Sequence, residues 1–180
     1  MNSNTEIKKV AIIGAGIAGL SCAKELQSSG MAVDLFEKSR GASGRMSTRQ
    51  SQEWSADHGA QYFTARDPRF IQEVQGWIRA GTAAIWKPRL KVYEAGLWRE
   101  SNSRETRYVG TPGMNSPGKY LAKDLAIQYE KTISRLERRD GHWSLYCNES
   151  GAISALYDYV VLATPAPQAS VLVKNLDSRA

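Results

Sequence analysis

Three glycines near the N-terminus have the spacing that a phosphate-bearing ligand requires. Gly14, Gly16 and Gly19 form the pattern GxGxxG directly after an apolar run, residues 10–13. In a strand–turn–helix unit, the first glycine permits a tight turn and the second lets the backbone approach a pyrophosphate. The third lets the helix pack closely on the sheet. The helix N-terminus then faces the anion, so the pattern predicts a dinucleotide site.

A carboxylate completes this pattern. A second apolar run, residues 32–36, is predicted to be a strand, and it ends at Glu37. The helix between the two strands is predicted over residues 18–28, with Gly30 as its stop signal. A carboxylate at the end of the second strand accepts hydrogen bonds from ribose hydroxyls. This favours FAD or NAD over a ligand with a 2′-phosphate.

The loop that follows separates flavin from nicotinamide cofactors. Residues 38–48, KSRGASGRMST, form a glycine-containing loop where a plain NAD domain would build its next helix and strand. The guanidinium of Arg45 can reach a pyrophosphate or the flavin edge with two parallel donors. The alternative interpretation of this loop is a solvated basic surface segment.

Five segments together resemble one known family. They are GAGIAG at 14–19, GRMSTR at 44–49, DHGAQYFT at 57–64, GTPGMNS at 110–116 and VVLATPAPQA at 160–169. With these segments the chain resembles the flavin-containing amine oxidase superfamily and, within it, the renalase family. The resemblance implies a protein longer than 180 residues, so we expect this chain to correspond to the N-terminal half to two thirds of such a protein.

The resemblance implies a fold and a division of the chain. We expect an α/β fold, with a Rossmann-like FAD/NAD(P)-binding domain and an inserted, incomplete mixed β-sheet substrate domain. Residues 1–65 would begin the FAD-binding domain, residues 66–110 would belong to the substrate domain, and residues 111–180 would return to the FAD-binding domain.

The resemblance also implies an activity. FAD would oxidise a reduced small molecule, for renalases a dihydronicotinamide isomer of NAD(P)H, and oxygen would accept the electrons to give hydrogen peroxide. A flavin amine oxidase, an NAD-dependent dehydrogenase and a non-catalytic FAD- or nucleotide-binding fragment remain alternatives. An oxidase of this kind needs little acid or base chemistry from the protein, and the catalytic residues stay unassigned.

Site residues follow from the motifs and the resemblance. By resemblance, Ala18 would contact the pyrophosphate region, Arg45 would bind the cofactor, and Gln61 and Tyr62 would lie against the flavin. The predicted cofactor-binding residues are Gly14, Gly16, Ala18, Gly19, Glu37, Lys38, Gly44, Arg45, Met46, Gly59, Ala60, Gln61, Tyr62, Ile133 and Thr164.

The middle of the chain is predicted to be a helix followed by short strands. Residues 66–81 carry apolar side chains at helical spacing, with Asp67 and Pro68 as the N-cap and first residue. Residues 83–109 indicate strands with four aromatic side chains that either line a pocket or pack within a sheet. Those aromatics are Trp86, Tyr93, Trp98 and Tyr108.

The last third is predicted to return to the nucleotide domain. Residues 119–129 indicate a helix, and residues 132–136 a third parallel strand in which the backbone of Ile133 would hold the adenine. Residues 142–147 indicate a meander strand. Residues 157–163 indicate a buried strand that ends at Thr164, at the carboxyl edge of the sheet.

Composition excludes several other classes. The net charge is +6, which attracts anionic small molecules, but no basic stripe with interleaved aromatics or known module indicates a nucleic-acid partner. Cys22 and Cys147 lack metal-ligand spacing and read as core residues, Asp57 as a loop-fixing acceptor and His58 as a structural residue. We expect a cytoplasmic protein with no membrane span, with a small-molecule substrate and oxygen as its partners. The oligomeric state stays open.

Overall fold

A computed structural model of the chain describes residues 7–101, 103–174 and 176. Its helices are α1 Ile17–Ser28, α2 Pro68–Arg79, α3 Ser116–Leu121 and α4 Ala166–Val173. Its strands are β1 Lys9–Ile13, β2 Ala32–Phe36, β3 Thr48–Gln50, β4 Ser55–Asp57, β5 Ala83–Trp86, β6 Lys91–Glu94, β7 Leu97–Glu100, β8 Arg107–Gly110, β9 Ile127–Gln128, β10 Ile133–Arg139, β11 His142–Cys147, β12 Gly151–Tyr157 and β13 Tyr159–Leu162.

The chain divides into two units. Unit 1 comprises the chain up to Arg45 and again from Leu121 onward, and unit 2 comprises Met46–Tyr120. The predicted functional boundaries fall elsewhere, at 65/66 and 110/111. That functional division stays a prediction.

A parallel sheet forms the centre of unit 1, in the strand order β13-β1-β2-β9. β1 is paired on both sides, with Ile12 opposite Leu35 of β2 and Val161 of β13. Its residues Val10 to Ile13 are all buried, as the continuous apolar run predicts for a strand covered on both faces. The parallel sheet with its crossover helix confirms the predicted α/β, Rossmann-like fold.

Helix α1 covers one face of this sheet and a second sheet covers the other. Gly19, Leu20 and Ala23 of α1 are buried. On the opposite face, Phe36 and Tyr157 pack edge to face with ring centroids 6.2 Å apart. The core on that side also contains Ala11, Ile13, Ile133, Leu136, Leu145, Cys147 and Leu172.

The two sheets of unit 1 correct two predictions. The segment predicted as the third parallel strand belongs to β10, which pairs antiparallel with β11, and β11 pairs antiparallel with β12. The third parallel strand is β9, and it lies inside the segment predicted as a helix over residues 119–129. The helix itself ends at Leu121. A two-residue edge strand has no periodicity that a sequence could display.

Unit 2 contains helix α2, most of helix α3 and short antiparallel pairs, β3 with β4, β5 with β8, and β6 with β7. The helix begins as predicted, because the Asp67 carboxylate accepts a hydrogen bond from the Arg69 backbone N–H at 2.8 Å and Pro68 is the first helical residue. Val74 and Trp77 are buried, which confirms the apolar stripe.

Candidate functional site

The glycine turn after β1 has the geometry that the sequence predicts. Gly14 has φ +106°, a backbone conformation that favours glycine. A Cβ atom on Gly19 would lie 1.9 Å from the Gly14 carbonyl oxygen, so that position excludes every side chain. A Cβ atom on Gly16 would meet nothing within 4 Å. Gly16 therefore presents open backbone where a pyrophosphate would approach.

The N-terminus of α1 is left open for an anion. Gly16 is the N-cap residue, no side chain caps the helix, and its first turn, which includes Ala18, carries no acidic residue. The first N–H groups of a helix have no partner within the helix and carry a partial positive charge. Combined with the open face of Gly16, these donors fit the two phosphates of a dinucleotide.

Glu37 is fixed at the carboxyl edge of the parallel sheet. Its side chain accepts hydrogen bonds from the backbone N–H groups of Ala15 and Ser39, both at 2.8 Å, and the residue is buried. Each carboxylate oxygen retains a second lone pair. Glu37 can therefore accept hydrogen bonds from a ribose diol while it holds the glycine turn, and the adjacent Lys38 is exposed.

The loop of residues 38–45 packs against the glycine turn. The Ser43 N–H donates to the Ala15 carbonyl oxygen at 2.8 Å. Ser43 and Gly16 also form an isolated parallel β-bridge. A Cβ atom on Gly44 would lie 3.1 Å from the Gly16 Cα. This close packing brings Gly44 and the exposed Arg45 to the predicted pyrophosphate site, which fits the expected two-donor contact.

Thr164 lies on the other side of the glycine turn. It follows β13, and its methyl group would be 3.2 Å from a Cβ atom on Gly14. Its hydroxyl oxygen is buried and has no hydrogen-bond partner among the described residues. A buried hydroxyl without a partner beside a nucleotide turn fits a ligand oxygen as the missing partner.

The predicted role of Ile133 rests on a different strand than expected. Ile133 is buried at the start of antiparallel β10, so the argument from a parallel strand end is wrong. The chain just before it is nevertheless attached to the site, because the Lys131 N–H donates to the Glu37 carbonyl oxygen at 3.0 Å. The contact of Ile133 with adenine stays a prediction.

Three segments of the family resemblance meet inside unit 2. The Asp57 carboxylate accepts hydrogen bonds from the Thr48 hydroxyl at 2.6 Å and from the Met114 N–H at 3.0 Å. The Thr48 hydroxyl accepts one from the Asn115 N–H at 3.1 Å. Asp57 thus fixes loops, as expected. The roles predicted for Met46, Gly59, Ala60, Gln61 and Tyr62 stay predictions.

Unit 2 also contains an open cavity of about 660 Å³. Trp86 lines it, together with charged side chains of both signs. The basic ones are Lys87, Arg89, Lys91, Arg104 and Arg107, and the acidic ones are Glu100 and Glu105. The Trp86 ring lies 5.6 Å from that of Tyr62, and the Arg107 guanidinium lies 5.2 Å from the Tyr62 ring.

The other three aromatics predicted as a pocket have different positions. Tyr93 and Trp98 pair across β6 and β7 with ring centroids 5.0 Å apart, and both are exposed. Tyr108 stacks on Phe63 with centroids 5.6 Å apart. Sheet packing therefore accounts for these three side chains, and none of them lines this cavity.

Residues 7–101, 103–174 and 176 contain no group of three or more His, Cys, Asp or Glu side chains that could hold a metal ion. No helix in that part of the chain is long and apolar enough to cross a membrane.

The glycine turn, α1 and Glu37 on a parallel sheet define a Rossmann-like dinucleotide-binding domain. Residues 12–74 match the family model described as NAD(P)-binding Rossmann-like domain. The chain is 29% identical over 150 residues to a 1-hydroxycarotenoid 3,4-desaturase of Flavobacterium sp. (strain P99-3), which covers 77% of this chain and 30% of that protein. It is 34% identical over 59 residues to a zeta-carotene-forming phytoene desaturase of Myxococcus xanthus. That match covers 33% of this chain and 11% of that protein.

Solved structures show the same fold. The structure of a protein assigned as a protoporphyrinogen oxidase from Exiguobacterium sp. 255-15 matches 93% of this chain and 62% of its own, with a TM-score of 0.73 and 14% identity. The structure of a triple mutant of putrescine oxidase with redesigned cofactor binding matches 92% of this chain and 59% of its own. Its TM-score is 0.71 and its identity is 13%. The chain thus spans less than a third of the curated relatives and about 60% of these structures.

The family model shows a dinucleotide-binding domain, which fits the predicted FAD.

Proposed function

We propose that this chain is the FAD-binding part of an oxidoreductase of the flavin amine oxidase type. The proposal rests on three features that meet at one edge of the parallel sheet in unit 1. Gly16 has open space beside its Cα atom, helix α1 has no side-chain cap, and the buried Glu37 carboxylate is hydrogen-bonded to the glycine turn. Bound FAD supplies a hydride acceptor that the side chains of the protein lack.

Different residues of unit 1 bind different parts of FAD. The first N–H groups of α1 and the backbone at Gly16 bind the pyrophosphate, and Arg45 adds a charged donor there. Glu37 accepts hydrogen bonds from the ribose hydroxyls, because two backbone donors fix the position of its carboxylate. The Thr164 hydroxyl donates to an oxygen of the cofactor.

For the substrate we propose the renalase type of reaction. A dihydronicotinamide isomer of NAD(P)H gives up a hydride, and oxygen takes the two electrons with two protons to form hydrogen peroxide. The support is the cavity of unit 2, in which the five basic side chains outnumber the two acidic ones and attract phosphate groups. A flavin amine oxidase remains the second candidate, because a solved putrescine oxidase has the same fold.

We further propose a cytoplasmic protein whose partners are a small-molecule substrate and oxygen. Peroxide formation by the FAD-loaded chain, compared between reduced nicotinamides and amines, tests the substrate. We expect turnover of the nicotinamides, whereas turnover of amines alone contradicts the renalase type. A chain that binds FAD and forms no peroxide with either supports a binding fragment.

A glycine substitution tests cofactor binding. Gly16→Ala adds a methyl group where the fold leaves open space, so folding is unchanged, but the methyl group occupies the approach to the pyrophosphate. We expect FAD affinity to fall by at least about tenfold, or about 1.4 kcal/mol, in a titration followed by flavin fluorescence.

Gly76→Ala is the matched control. A Cβ atom on Gly76 would meet only the end of the Arg79 side chain at 3.9 Å, on helix α2 of the other unit. This variant should bind FAD as the wild type does. Equal affinities for the wild type and Gly16→Ala would contradict the proposed phosphate site.

A further inference from the structure

An aromatic residue follows the third parallel strand of unit 1. β9 pairs with β2, with Leu35 opposite Ile127 and Phe36 opposite Gln128. The next residue on each strand is Glu37 and Tyr129, and the Glu37 N–H donates to the Gln128 carbonyl oxygen at 2.9 Å. Tyr129 therefore lies beside the predicted ribose carboxylate, at the edge where parallel sheets bind nucleotides.

The side chain of Tyr129 is held in place while part of its ring stays accessible. Its hydroxyl lies close to the backbone of Ala42, in the loop that packs against the glycine turn. Burial, and then the nearby Glu37 carboxylate, raise the pKa of Tyr129. The residue remains 37% exposed. The ring thus reaches from the end of β9 toward that loop, next to Glu37.

We propose that Tyr129 binds the adenine of the dinucleotide by stacking. The inference rests on the proposed FAD binding and adds a contact for its adenosine half. In the proposed site, the ribose hydroxyls donate hydrogen bonds to Glu37. Adenine is attached to that ribose, so the base must lie within one sugar ring of the Glu37 carboxylate. Tyr129 supplies a flat apolar surface there, and aromatic rings bind bases through their π-faces.

Calorimetric titration of the 180-residue chain with ADP and with FAD tests this inference. Tyr129→Ala should weaken both ligands by about tenfold or more, since each stacked base contributes substantially to binding. Tyr129→Phe keeps the ring and should stay within about twofold of the wild type. Tyr129→Leu keeps apolar bulk but lacks a π-face, and it should resemble Tyr129→Ala, which keeps the test valid if the alanine variant folds poorly.

Tyr159→Ala is the matched control. Tyr159 is an exposed tyrosine at the first position of β13, at the opposite edge of the same sheet. Its removal should leave the affinity for ADP unchanged, and the ligand-free variants should unfold at the temperature of the wild type. Equal ADP affinities for the wild type, Tyr129→Ala and Tyr129→Leu would overturn the stacking contact alone. A wild-type chain that binds neither ADP nor FAD would overturn the proposed function as well.

Discussion

Among the described residues other than glycine, Ser43 has the largest positive φ. It has φ +102°, in the region that favours glycine, and its hydroxyl is buried without a partner among the described residues. The backbone holds it there, because its N–H donates to the Ala15 carbonyl oxygen. A strained residue and an unsatisfied hydroxyl each cost about 1–3 kcal/mol.

Replacing this serine by glycine should therefore stabilise the chain. Glycine relieves the strained φ and removes the buried hydroxyl, while it loses more backbone entropy on folding. We expect Ser43→Gly to raise the free energy of unfolding by about 1 kcal/mol in urea denaturation without ligand.

Ser39→Gly is the control from the same loop. Ser39 has no positive φ, so glycine there brings only the entropic loss and should lower stability. If Ser43→Gly destabilises the chain as much as Ser39→Gly does, the strain at Ser43 is not significant.

Single residues were predictable where a motif fixes both type and position. Gly14, Gly16, Gly19 and Glu37 have the positions that the sequence predicts, because a strand–turn–helix unit accepts few alternatives. Ser43 could not be found this way, since a serine with positive φ has no sequence signature. Tyr129 was missed because its strand was not recognised.

At the scale of elements, helix α2 has the N-terminal cap that the sequence predicts, Asp67. The backbone N–H and the side chain of Arg69 donate to the Asp67 carboxylate. The Arg69 side chain and backbone N–H lower the pKa of Asp67 to about 2. Its native pKa is thus below its ordinary value of 3.8, so the ionised carboxylate stabilises the folded state above about pH 4. This contribution is lost as the pH falls through 2.

We expect Asp67→Ala to lower the thermal unfolding midpoint by a few degrees at pH 7 and by less at pH 2. Alanine offers no acceptor to the first turn at either pH, whereas the carboxylate of the wild type loses its charge. Asp67→Asn should retain most of the capping and show little dependence on pH. Circular dichroism at the two pH values measures both effects. An Asp67→Ala difference that is unchanged at pH 2 would contradict the assigned role of the charge.

Elements with a buried apolar run, helical spacing or a cap were predictable, and the two-residue strand β9 was not. β1, α1, β2 and α2 follow from buried runs, helical spacing and caps. β9 has only two residues, and its pairing with β2 depends on contacts far apart in sequence. β10 looks like any half-buried strand, so the sequence does not distinguish an antiparallel neighbour from a parallel one.

At the scale of the whole molecule, the two units differ in how complete their sheets are. Unit 1 has a layered core around its parallel sheet. The described sheets of unit 2 are two-stranded, and large side chains such as Tyr93 and Trp98 are 62% and 69% exposed. Two-stranded sheets are marginal by themselves. Cofactor binding by unit 1 is therefore the property on which the functional proposal depends.

The absorption spectrum of the purified 180-residue chain, with the released cofactor identified by its mass, tests that property most directly. We predict a yellow protein with flavin absorption bands that releases FAD, and a Gly16→Ala variant that retains less of it. A colourless chain that also fails to take up added FAD would contradict the central claim that the glycine turn, α1 and Glu37 form an FAD site.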